Sequence, residues 1–69
     1  MPLVSANAGE TYIITRIGGT PEVRKHLEDL GFSVGGSVIV ISVIGGNLIV
    51  NVKETRVAVS RELAMKIMV

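Results

Sequence analysis

Residues 20–36 read Thr-Pro-Glu-Val-Arg-Lys-His-Leu-Glu-Asp-Leu-Gly-Phe-Ser-Val-Gly-Gly, and this stretch decides the fold. Thr20 has a hydroxyl that can cap a helix, and Pro21 stands at the first helical position, where a missing N–H costs nothing. Val23, Leu27 and Leu30 follow at i, i+4 and i+7, so a helix over Pro21–Leu30 puts all three on one face. Gly31 is the left-handed residue that ends it, with Phe32 placed to fold back on the last turn. Gly35-Gly36 then turns the chain into a long apolar segment.

Working outward, every other pattern is that of a strand. Thr11–Ile17 is rich in β-branched residues and includes Tyr12, which suits a strand ended by Gly18-Gly19. Ser37–Ile44 and Leu48–Lys53 are two strand patterns joined by Gly45-Gly46-Asn47, a loop able to supply the positive φ of a tight hairpin. Lys53-Glu54 connects to a further strand at Thr55–Val59. Ser60 can cap a last helical turn over Arg61–Lys66, with Glu62 and Lys66 placed to suit the helix dipole, and Ile67–Val69 returns as a closing strand. The expected fold is mainly β: a small SH3-like barrel of about five strands, with a helix after the first strand and a short helical turn before the last. A ferredoxin-like fold would need a second full-length helix, and Arg61–Lys66 is too short for one.

Sixty-nine residues make a single domain, 1–69. With no cysteine there is no disulfide or thiolate site to staple it, so a Val/Ile/Leu core must hold it. In Ser37–Ile44 both parities are apolar: Val38, Val40 and Ile44 on one, Ile39, Ile41 and Val43 on the other. One parity is expected to fill the core. The other is expected to lie under the helix and the N-terminal segment, or else to form a partner or self-association surface.

Several function classes fall away on composition. The net charge is +1, from seven basic and six acidic residues. Arg16, Arg24, Lys25, Lys53, Arg56, Arg61 and Lys66 are interleaved with acids, and two aromatics are too few for base stacking, so no nucleic-acid partner is expected. The apolar run Val38–Ile44 is far short of a membrane span, and the N-terminus has no basic region of a signal peptide. The only histidine, His26, has no nucleophile in its segment, and the carboxylates are scattered, so no enzyme and no catalytic residue is expected. Glu22, His26 and Asp29 share one helix stripe that could hold a divalent ion with a fourth ligand; a plain solvated face is the stronger reading, and no metal site or cofactor is assigned. The three Gly-Gly pairs fit no phosphate-binding motif. What remains is protein recognition through sheet edges and apolar contact.

Gly9-Glu10-Thr11-Tyr12-Ile13-Ile14, the block His26-Leu27-Glu28-Asp29-Leu30-Gly31-Phe32-Ser33-Val34-Gly35, Arg56-Val57-Ala58-Val59 and Leu63-Ala64 resemble the FeoA family of small ferrous iron transport proteins. The same module resembles the C-terminal domain of iron-dependent repressors of the diphtheria-toxin-repressor type. The resemblance covers nearly the whole chain, and its most specific part is Leu-x-x-Leu-Gly-Phe-x-x-Gly at 27–35. It implies an SH3-like barrel in a bacterial or archaeal cytoplasm that assists FeoB, the membrane ferrous iron transporter, and meets the membrane only through it. The alternative it leaves is an SH3-like metal- or peptide-binding domain akin to those repressors. A free-standing protein is expected, with weak homo-oligomerisation open. The helix surface and an exposed sheet edge are the expected contact regions, with Arg24, Leu27 and Arg56 as candidate partner-binding residues.

Overall fold

The computed structural model describes residues 1–69. Its main helix, α1, spans Pro21–Leu30, and its boundaries are those the sequence dictates. The Val23 N–H donates to Thr20 Oγ1 at 3.3 Å. At the other end Gly31 has φ 111° and its N–H donates to the Glu28 and Leu27 carbonyls. Phe32 N–H donates to the Leu27 carbonyl at 3.0 Å, which completes the helix end and drives the Phe32 ring into the core.

Six strands make up the rest of the fold: β1 (Thr11–Ile13), β2 (Arg16–Ile17), β3 (Ser37–Ile44), β4 (Asn47–Val52), β5 (Thr55–Ser60) and β6 (Ile67–Met68). A four-stranded antiparallel sheet has the order β1-β3-β4-β5, and β2 pairs with β6 in a second, two-stranded sheet. The single strand expected over Thr11–Ile17 is divided because the chain changes partner there. Ile14 exchanges backbone bonds with Gly36 and Gly35 (2.9 and 2.8 Å), whereas the next N–H, that of Thr15, donates to Met68 at 2.8 Å. Ile14 is buried at this corner. The β1–β2 segment thus joins the two sheets.

The barrel is not closed by hydrogen bonds. Between β5 and β6 lies the helical turn α2 (Arg61–Ala64), capped by Ser60, whose Oγ accepts from Leu63 N–H at 3.2 Å. This turn packs on β4, β5 and a short 3-10 turn at Leu3–Ser5, with Ala64 and Leu3 fully buried. Leu3–Ser5 was not expected from the sequence. It is tied down by backbone pairing of the N-terminal segment with β6 and its neighbour: Pro2 bridges Met68, and Val69 N–H donates to the Met1 carbonyl at 2.8 Å.

The core is wholly apolar. Val38, Val40, Val50, Val52, Leu48 and Val59 line the inner face of the sheet, and Leu27, Phe32, Ile14, Ile17, Leu3, Ala64 and Ile67 fill the space above it. No polar side chain is buried. Burying these aliphatic groups, at about 1.5–3 kcal/mol for a full Val, Leu or Ile side chain, is what stabilises a chain with no disulfide.

One feature of β3 departs from simple alternation. Val40 lies opposite Val50, but Ser42, not Ile41, lies opposite Ile49, so Ile41 is an extra, bulged residue. Cross-strand partners share a face. Val43, paired with Leu48, therefore joins Val38 and Val40 on the inner side, and Ile44 is turned to the outer side. The sequence grouping of Ile44 with Val38 and Val40 is corrected by this bulge. Nor is the second parity covered: Ile39 is half-buried on the outer side of the sheet, the bulged Ile41 is exposed, and Val43 is exposed although it lies on the inner side.

Candidate interaction surface

No pocket indents this surface, and no three His, Asp or Glu side chains converge as metal ligands would. Glu22, His26 and Asp29 are all exposed on α1. The geometry offers nothing that encloses a small molecule. What it offers is surface, in two regions.

The first is the outer face of the sheet and its β3–β4 end. Pairing places Thr11, Ile39, Asn51 and Arg56 in one row across the four strands, with Ser42, Ile49 and Ala58 in the next. On this face Ile13 (55% exposed) lies at the Ser37 end of β3 and Ile44 (64%) at the hairpin end, where Val43 (62%) is also in water on the inner side. From Ser33 to Val52 the chain carries no charged residue at all. The hairpin turn at its tip is Gly45-Gly46, with φ 57° and 81°, the positive values a two-residue turn of the right twist demands.

The second region is polar: Arg24, Lys25, Glu28 and Asp29 are exposed on α1. Arg56, at the β5 end of the first outer-face row, is exposed on the edge strand of the sheet. Arg24 and Arg56 are therefore free to meet a partner. Leu27 is not. Its side chain is fully buried in the core cluster, so its assignment as a partner-binding residue is corrected: it is a packing residue. The helical spacing that groups Leu27 with Val23 and Leu30 already carried that signal. The exposed Ile13, Val43 and Ile44 were not singled out as site residues. The uncharged run from Ser33 to Val52 is the sequence signal that points to the last two.

Near the first region, Tyr12 fixes the loop that enters β1. Its hydroxyl accepts from Asn7 N–H at 2.9 Å and donates to Glu10 Oε2 at 2.8 Å. Gly9 N–H then donates to the Val40 carbonyl at 2.8 Å, the last backbone bond on that side of β3.

A surface of this kind binds by apolar packing and main-chain pairing, with arginines at its margins. Comparison with known proteins gives the setting. The family model described as the FeoA domain matches residues 1–69. The chain belongs to the FeoA family. It is 35% identical over 68 residues to Fe(2+) transport protein A of Methanocaldococcus jannaschii, covering 99% of this chain and 83% of that one. Among solved structures it is similar to FeoA, an iron uptake regulatory protein, with 28% identity, a TM-score of 0.90 and coverage of 97% of this chain and 89% of that chain.

Two further likenesses concern the fold alone. FeoA of Stenotrophomonas maltophilia, a prokaryotic SH3 domain protein solved with zinc, superposes with a TM-score of 0.83 at 23% identity, over 99% of this chain and 87% of that one. A manganese-dependent transcriptional repressor superposes with a TM-score of 0.87 at 20% identity, over 97% of this chain and 39% of that chain. The SH3-like architecture is thus shared by both groups that the sequence resembles. This FeoA-family chain is a member of a family of ferrous iron transport.

Proposed function

We propose that this FeoA-family chain is a non-enzymatic, cytoplasmic accessory protein of ferrous iron transport, acting by direct contact with the membrane transporter FeoB. The observation that carries this reading is the exposed aliphatic pair Val43 and Ile44 at the β3–β4 tip, with Ile13 exposed at the other end of β3. Large exposed apolar groups on so small a chain suit protein contact, and the absence of a pocket suits no substrate. In this reading membrane proximity comes through the transporter, and no helix of the chain is long and apolar enough to cross a membrane. The exposed surface of α1 around Arg24 and the β5 edge around Arg56 are the polar parts of the contact.

The test in cells is ferrous iron uptake. Removing the chain changes uptake, and the unaltered chain restores it. A double Arg24→Glu/Arg56→Glu variant that folds normally fails to restore it. Full restoration by that variant would remove both arginines from the contact.

A further inference from the structure

Besides β5, the sheet has a second stretch of edge that no strand of the chain fills, the far half of β3. β1 pairs with β3 only at Ser37–Ile39, and the Gly9–Val40 bond ends the contact. Beyond it, the four residues Ile41–Ile44 run on to the hairpin tip with β4 on one side and solvent on the other. Hydrogen-bonded and non-hydrogen-bonded pairs alternate along an antiparallel ladder. A two-residue turn makes Ile44–Asn47 a bonded pair, so Val43–Leu48 is the other kind. The N–H and carbonyl of Val43 consequently point to the open edge.

Exposed edges are ordinarily guarded by lysine, proline or an inward charge. This one has none: Ser33–Val52 contains no charge and no proline. The bulge at Ile41 is its only irregularity.

We infer that this edge pairs with its own counterpart on a second copy of the chain, antiparallel about a two-fold axis at Val43. In that arrangement each Val43 N–H donates to the other Val43 carbonyl, so one residue satisfies both valences. Ser42 then faces Ile44 of the second copy on the outer side, and the two Val43 side chains meet on the inner side. Neutrality selects this occupant. An uncharged edge has nothing with which to prefer a charged partner strand, and two copies of net charge +1 repel one another little.

The size of the contact sets its strength. A standard interface removes about 800 Å² from each partner, roughly a fifth of this chain's 4162 Å² surface. The hairpin tip supplies less, so the dimer is weak and in exchange with monomer.

Sedimentation equilibrium of the purified chain, from about 10 μM to about 2 mM, tests this directly, the range reaching into that of weak association. The average mass is expected to climb from 7.3 kDa toward twice that value. Val43→Lys, at an exposed position, should keep its melting temperature and stay monomeric, with Kd weakened at least ~10-fold by the two lysines brought face to face, whereas Ile44→Lys, which faces Ser42 of the second copy, should weaken pairing less. Arg56→Glu, on the opposite edge, should dimerise as the parent does. A chain that stays monomeric at the highest concentration overturns the inference, as does a dimer that Val43→Lys leaves intact. Because no transporter is present, either result is independent of FeoB binding.

Discussion

Phe32 donates its backbone N–H to the Leu27 carbonyl at 3.0 Å, and both side chains are fully buried in the same cluster. The stop signal of α1 and the centre of the core are therefore one structure. Ending the helix correctly is what seats Phe32 in the cluster that also holds Leu27.

Leu27→Ala should therefore act through stability. Truncating a buried leucine costs about 2–5 kcal/mol, which is a large part of what a domain of this size has. Urea unfolding should show a much lower midpoint, and partner binding should fail only where the variant is unfolded. A variant of unchanged midpoint that fails to bind would return Leu27 to the contact surface.

Gly31→Ala strains the same helix end by a different route. The backbone at φ 111° is one that side chains rarely adopt, and an added Cβ would lie 3.4 Å from Val52 Cγ1. A loss of about 1–2 kcal/mol is expected, read as a lower melting temperature. No change would mean that the end of α1 relaxes without disturbing Phe32.

The β4–β5 turn offers the opposite sign. Lys53 and Glu54 both have positive φ, 50° and 63°, without being glycine. Two-residue hairpin turns of this geometry favour Asn-Gly. The pair Lys53→Asn/Glu54→Gly should stabilise the chain by about 0.5–1 kcal/mol, since relief of left-handed strain outweighs the extra freedom glycine gives the unfolded chain. Thermal unfolding reads the difference, and a destabilised double variant would show that the lysine and glutamate side chains contribute more than their backbone costs.

The second helix start is a cap in the same sense as the first. Ser60→Ala removes the acceptor of the Leu63 N–H and should cost about 0.5–2 kcal/mol. Because α2 stands in the gap between β5 and β6, hydrogen exchange should speed up first at Leu63, Met65 and Lys66. Uniform acceleration across the sheet would place α2 inside the main cooperative unit instead.

Most of this architecture is legible where the signal is local. Thr20, Pro21 and Gly31 bracket α1 to the residue, and glycines or Lys53-Glu54 mark each turn of the β3–β4–β5 meander. Features set by distant partners are not legible. The break at Ile14–Thr15 exists because Gly36 and Met68 compete for adjacent backbone groups. Leu3 is buried because the N-terminal segment meets β6, with no periodicity of its own to announce it. The bulge at Ile41 reverses the facing of Val43 and Ile44, and alternation alone assigned them the other way. The surplus of apolar residues in β3 was visible in the sequence; that it would stay uncovered depended on where α1 packs. At the candidate site the exposure of Arg24 and Arg56 agrees with a surface role, and the burial of Leu27 does not.

The most direct measurement is a pull-down of the purified chain with detergent-solubilised FeoB, with and without guanine nucleotide and ferrous iron. The account predicts saturable binding that Arg24→Glu/Arg56→Glu weakens while the melting temperature holds. Absence of saturable binding under every one of these conditions would contradict it.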